Sequence, residues 1–147
     1  MENKLDRSQD QALQNVLSNK HRLSVITGGP GYGKTFLVKT IVKALWDAGV
    51  DHDKTYFCAP TGKAAKVIDE ALAEDQSFYS MINNTPSTIH RMLGCMGPHA
   101  WTYNDDNPLD AELLIVDEAS MVDSSLMSRL FTSVSDDCKI ILVGDKD

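Results

Sequence analysis

Cysteine is scarce in this chain: Cys58, Cys95 and Cys138 are the whole supply in 147 residues. An odd count at wide spacing argues against a disulfide framework and fits a reducing, cytoplasmic compartment. Long apolar runs are missing as well. The longest are strand-sized, far short of the ~20 residues a membrane helix needs, so no membrane partner is expected. The opening MENKLDRSQDQ is polar and charged, unlike a secretory leader. Positive charge is also short, since 14 Lys+Arg face 21 Asp+Glu for a net charge of -7. The deficit is uneven: residues 1–74 carry 10 against 9, residues 75–147 only 4 against 12. Such a chain has no general basic face, so any nucleic-acid contact must come from a few placed donors. No internal repeat or low-complexity tract is visible.

What is present is an ordinary globular composition, 42% hydrophobic and 24% charged, at the length of one domain. Strand and helix patterns alternate. Residues 8–20 read as a helix with Ala12, Leu13, Val16 and Leu17 on one face. LSVIT (23–27) is a strand, and 34–48 carries a helical stripe through Leu37, Ile41 and Leu45 that Gly49 can close. TYFCA (55–59) is a second strand, 62–74 a second amphipathic helix, and ELLIV (112–116) a third strand. A helix over 124–134 leads to the terminal run KIILV, whose unbroken branched apolar residues suit a strand buried on both faces. Repeated strand–helix units specify an α/β fold: a parallel sheet with helices on both faces. Only the stretch from about Asp75 to Asp110 resists this reading, with breakers at Asn83-Asn84, Thr85-Pro86, Gly97-Pro98 and Asn107-Pro108. An insertion of that length is functional or disordered.

The chemistry begins at GGPGYGKT (28–35), which matches G-x-x-x-x-G-K-[ST] after a strand and at the start of a helix. Glycines let backbone N–H groups turn inward around a β-phosphate beside a positive helix end. The nucleotide-binding stretch therefore covers Gly29, Pro30, Gly31, Tyr32, Gly33, Lys34, Thr35 and Phe36. Lys34 is placed to bridge β- and γ-oxygens and the Thr35 hydroxyl to ligate Mg²⁺. Downstream, LLIVDEAS (113–120) sets Asp117 and Glu118 at the end of an apolar strand. Asp117 suits direct or water-mediated coordination of Mg²⁺. Glu118, pointing the other way along the strand, suits deprotonation of a water in line with the γ-phosphate. The competing view makes both solvated loop acids, or the first turn of a helix; the upstream loop favours ATP hydrolysis.

With these residues in place the chain resembles RecD-like helicases of superfamily 1B, which include the exonuclease V alpha subunit and the Dda type. GGPGYGKT, APTGKAAK (59–66), STIHRMLG (87–94), NPLDAELLIVDEASMVD (107–123) and IILVGDKD (140–147) occur in that order. The resemblance implies a RecA-like P-loop NTPase domain that couples ATP hydrolysis to 5′-to-3′ movement on single-stranded DNA. It makes Gln9 the adenine reader, against a plain alternative in which Asp6 and Gln9 form a capping box. It places the DNA backbone on Pro60, Thr61, Gly62 and Lys63, and a second DNA contact on Thr88 and His90. Lys63 stands where many relatives carry Arg, which keeps the charge and loses the bidentate fork. A lone His is more often structural than ligating. His90, Cys95 and His99 match no zinc spacing and lack a fourth ligand. Trp101 and Tyr103 are expected to pin the 75–110 stretch to the domain rather than to stack on bases.

The same resemblance puts the final strand between the phosphate-loop strand and the Asp117–Glu118 strand, so that Asp145 reaches the γ-phosphate. Relatives usually continue with Gln, which this chain lacks. The sequence thus reads as an incomplete N-terminal RecA-like motor domain over 1–147, without its last strand and without the second RecA-like domain that supplies an arginine finger. The alternative is a stand-alone nucleotide-dependent binding or regulatory module without motor activity.

Overall fold

The computed structural model describes residues 7–18, 22–28 and 33–145. Helix α1 spans Arg7–Ser18, strand β1 Leu23–Gly28, helix α2 Lys34–Asp47, strand β2 Thr55–Ala59 and helix α3 Gly62–Ala73. After the irregular stretch come β6 (Leu113–Val116), α6 (Ser124–Thr132) and β7 (Lys139–Asp145). All the elements expected from hydrophobic periodicity are present, with ends shifted by one or two residues. Gly49 closes α2 as expected: its φ is 111°, and Val50 N–H donates to Leu45 O at 3.0 Å while Gly49 N–H donates to Trp46 O at 3.0 Å. This pair of bonds is the Schellman arrangement, in which a residue without Cβ takes the left-handed position.

The five-stranded sheet runs β1-β7-β6-β2-β3, where β3 is the short strand Ser87–Thr88, with every neighbouring pair parallel. The terminal strand therefore lies between β1 and β6, in the place the resemblance implies. Period-two alternation divides its apolar side chains between two cores. Ile141 and Val143 join Leu113, Ile115, Ile26 and Phe57 under α2 and α3. Ile140 joins Leu114, Val116 and Cys58 against Leu130 and Val134 near α6. All four residues of β6 are buried, at 1% exposure or less. Each such aliphatic side chain contributes roughly 1.5–3 kcal/mol of transfer free energy. That burial fixes the strand ends rigidly, which is what a site built on them needs.

The 75–110 stretch is more ordered than its breakers suggested. It contains α4 (Gln76–Tyr79), β3 (Ser87–Thr88), α5 (Ile89–Met92) and a small antiparallel hairpin of β4 (Cys95–Gly97) and β5 (Ala100–Trp101). Strand β3 pairs with β2 and forms the outer edge of the sheet. Elements of two to four residues are too short to leave a periodic signature. Trp101 and Tyr103 are half-buried against the second core, so they do pin the stretch to the domain. Arg22 performs a related task at the other end of the sheet. Its guanidinium donates to the carbonyls of Phe131 at 2.9 Å, Ser135 at 3.0 Å and Cys138 at 3.3 Å, tying the entry of β1 to the end of α6. A cation there also meets the negative end of the helix.

Candidate functional site

The carboxyl ends of β1, β7, β6 and β2 face one side of the sheet, the position where open α/β folds bind ligands. Gly33 precedes α2 with φ 76° and ψ −7°, and Leu37 N–H donates to its carbonyl at 3.0 Å to open the helix. Lys34 and Thr35 are the first residues of α2 and are half-buried. They share one cleft with Asp117, Glu118 and Gly144, over a floor that includes Ile115 and Val143. The structure therefore unites the phosphate-loop lysine and threonine with the two strand-end carboxylates. Gln9 is brought to the same place: its side-chain amide donates to Gly33 O at 3.3 Å across 24 residues of sequence. Gly29, Pro30, Gly31 and Tyr32, and Asp6 of the capping alternative, lie outside the described residues. Phe36 follows Thr35 on α2 and is half-buried. The backbone of Asp145 pairs in register with Gly28, the strand residue that leads into the loop; its side chain lies outside the described set.

One local expectation is corrected. Strand alternation would send Glu118 to the face opposite Asp117. Asp117 N–H still donates to Cys58 O at 2.9 Å and extends the ladder to β2. Glu118 then leaves the strand with φ 54° and ψ 39° and starts the 3₁₀ turn Ala119–Met121, whose Met121 N–H donates to Glu118 O at 2.9 Å. Glu118 is the one non-glycine residue with positive φ among the described residues. A left-handed conformation costs a non-glycine residue on the order of 1–3 kcal/mol and persists where packing over-determines it. Here it turns the second carboxylate into the cleft that already holds the first. Gly144, which the sequence reading passed over in favour of Asp145, also lines this cleft, and the backbone of Ser120 packs beside it.

A second cleft adjoins the first across Asp117 and Glu118 and is lined by Pro60, Thr61, Lys63, Val67 and Met121. Gly62 and Thr88 meet instead in a separate groove. Thr61 caps α3, its hydroxyl accepting from Ala64 N–H at 3.1 Å, and Thr88 caps α5 by accepting from Arg91 N–H at 3.0 Å. A hydroxyl that accepts at a cap still has its own proton to donate. His90 joins neither cleft; its ring lies against Trp101 at 5.4 Å between centroids, and the Arg129 guanidinium sits 4.5 Å from the Trp101 ring. His90, Cys95 and His99 form no metal cluster, and among the described residues no group of three His, Cys, Asp or Glu stands together. Burial pushes the Cys58 thiol up, and Cys138 up to about 12, so both act as packing groups rather than nucleophiles. Among the described residues no helix is long and apolar enough to cross a membrane.

Comparison with known proteins agrees with this geometry. A family model described as an AAA domain matches residues 9–147. The ATP-dependent RecD2 DNA helicase of Deinococcus radiodurans is 39% identical over 127 residues, 86% of this chain and 16% of that protein. The RecBCD enzyme subunit RecD of Haemophilus influenzae is 33% identical over 155 residues, 97% of this chain and 24% of that protein. The chain thus spans between a sixth and a quarter of the length of these relatives. A structure of two coordinating Pif1 helicases at forked DNA superposes with TM-score 0.63 at 20% identity, over 97% of this chain and 34% of that one. The ATPase domain of the Thermus phage P74-26 large terminase superposes with TM-score 0.61 at 15% identity, over 96% and 65%. These superpositions carry the fold: a RecA-like parallel sheet flanked by helices. The chain belongs to the AAA domain family, and RecD2 and RecD proteins are among its relatives.

Proposed function

We propose that residues 1–147 form the N-terminal ATP-binding motor domain of a DNA helicase that couples ATP hydrolysis to 5′-to-3′ translocation on single-stranded DNA. The observation that carries this reading is the convergence of Lys34, Thr35, Asp117 and Glu118 on one cleft. Lys34 has the reach and charge to neutralise oxygens of the β- and γ-phosphates. Glu118 accepts the proton of the attacking water, and its fixed backbone holds that carboxylate in place. Gln9, anchored on Gly33, presents an amide suited to the N6 and N7 edge of adenine. A hydroxyl and a carboxylate lining the same cleft, Thr35 and Asp117, fit an octahedral oxygen-liganded cation. Bound Mg²⁺ would neutralise phosphate charge there as the terminal phosphoryl group departs. Asp145, at the end of β7 beside the strand that leads into the phosphate loop, is the residue that responds to the γ-phosphate in this reading. Pro60, Thr61, Gly62, Lys63 and Thr88 form the DNA side, and the second RecA-like domain is the partner that completes the motor.

Calorimetry with Mg-ADP and Mg-ATP tests the reading. Wild type should bind both, and Lys34→Ala should lose at least an order of magnitude in affinity, a loss of ~1.4 kcal/mol or more. Equal ATP affinity of the two proteins would remove the assignment of the cleft.

A further inference from the structure

Trp101 holds the β4–β5 hairpin to the domain without a hydrogen bond from its ring. Its indole Nε1 is buried and has no partner among the described residues. What meets the ring is the Arg129 guanidinium of α6, 4.5 Å from the centroid, together with the His90 ring of α5 at 5.4 Å. Arg129 enters no ion pair among the described residues, although Asp105 and Asp106 line the same groove beside α6. A cation over a ring face is attracted over a range of positions, unlike a donor aimed at one acceptor. Such a joint can slide. The other end of α6 begins at the nucleotide cleft. Glu118 lines that cleft with its backbone left-handed, and the turn Ala119–Met121 follows it. The Asp123 carboxylate then caps α6 by accepting from Leu126 N–H at 2.7 Å. The helix is nine residues long, so it spans ~13.5 Å as one rigid piece, seated on the second core through Leu126, Met127, Leu130 and Phe131.

We propose that α6 is a lever that carries the state of the nucleotide cleft from Glu118 to the β4–β5 hairpin through the Arg129–Trp101 contact. The proposal rests on the nucleotide reading above and gives that site an output at a distant element. The input is Glu118. A non-glycine residue stays left-handed only while its surroundings over-determine it, and a γ-phosphate brings charge against its carboxylate. A triphosphate and a diphosphate differ in that charge, which supplies the differential interaction a ligand-driven shift requires. Gly144 of β7 offers only backbone to Ser120, so no side chain wedges the turn in place. Movement of the turn passes through the Asp123 cap into α6 and reaches Trp101 at Arg129. Trp101 pairs with Cys95 in the hairpin ladder, so ring and strand pair move together. The base of the hairpin is fixed, since Thr102 N–H donates to Gly94 O and Tyr103 N–H to Leu93 O, both at 3.0 Å. The motion is therefore a tilt about that base, and Met96, 74% exposed on the hairpin, has free space to travel.

Fluorine NMR of the 147-residue chain labelled with 5-fluorotryptophan tests this, because Trp46 and Trp101 are its only tryptophans. Trp101→Phe assigns the two resonances. Saturation with the magnesium complex of the non-hydrolysable β,γ-imido analogue of ATP should move the Trp101 resonance by more than its linewidth. Mg-ADP should leave it near its free position. The Trp46 resonance should stay in place, since that indole is buried at the other end of the sheet with its N–H on the Thr55 hydroxyl at 2.9 Å. Arg129→Met keeps the apolar stem and removes the cation, so it should abolish the Trp101 response, and Arg129→Lys should restore part of it. Both variants should still bind Mg-ADP in calorimetry, which certifies the fold. A Trp101 resonance that stays still while calorimetry shows the triphosphate analogue bound would overturn the lever and leave the nucleotide reading standing. A full response in Arg129→Met would overturn the lever as well, and an equal response to Mg-ADP would overturn Glu118 as its input. No binding of either nucleotide to the wild-type chain would overturn both readings.

Discussion

Replacing Gly33 with alanine perturbs the junction between the phosphate loop and α2 in a way the geometry quantifies. Gly33 holds φ 76° with ψ −7°, where an L-residue costs roughly 1–2 kcal/mol. The new Cβ would also fall on the side-chain amide nitrogen of Gln9, the group that donates to Gly33 O. That amide is the far end of a flexible side chain, so it can swing away, and the loss is one hydrogen bond of about 0.5–1.5 kcal/mol. The backbone term alone corresponds to a ~5–30-fold weaker Mg-ADP affinity if the nucleotide requires the left-handed junction. The two costs are not independent, because Gly33→Ala already expels the Gln9 amide. Gln9→Ala should therefore weaken nucleotide binding in the wild-type background and change little in the Gly33→Ala background. A calorimetric double-mutant cycle measures this coupling directly. Additivity of the two losses to within ~0.3 kcal/mol would refute the physical link between Gln9 and the loop.

Two other expectations follow from the same structure. Among the described residues no arginine lines the cleft of Lys34, Asp117 and Glu118, and an arginine at the γ-phosphoryl group is worth roughly 10³–10⁵ in rate in related NTPases. Steady-state assays on the 147-residue chain should thus give very slow ATP turnover with little stimulation by single-stranded DNA; brisk, DNA-stimulated hydrolysis abolished by Glu118→Gln would contradict this. Burial holds the Cys138 thiol up to about 12, so the folded chain keeps a proton that the unfolded chain releases near its ordinary value of ~8.5. Above that value the unfolded state binds fewer protons, so stability should be fully present below about pH 8.5 and decline as pH rises toward 12. Urea melts at pH 8 and pH 10 should show the decline, and Cys138→Ala should make it smaller, the remainder belonging to the buried Cys58 thiol; an equal decline in both proteins would assign the effect to other groups.

Much of this molecule is legible in its linear order. Unbroken apolar runs at 113–116 and 140–143 specify strands covered on both faces, because neither alternate set of side chains is polar, and only Leu142 among them is partly exposed. The spacing of glycines, Lys34 and Thr35 between a strand and a helix specifies a phosphate loop, because that chemistry depends on backbone amides and a helix end, both local. Tertiary structure decided what depends on distant segments. Whether Gln9 meets Gly33 depends on how α1 packs on α2, and no local signal encodes that approach. Glu118 was readable as a carboxylate at a strand end, but its left-handed backbone, and hence its side of the strand, is imposed by the turn into Ala119–Met121 packed beside Gly144. The edge strand Ser87–Thr88 is too short for any period and exists through its pairing with β2. That pairing also brings Thr88 and Arg91 into one groove with Gly62 and Lys66, residues that lie about 25 positions away in sequence.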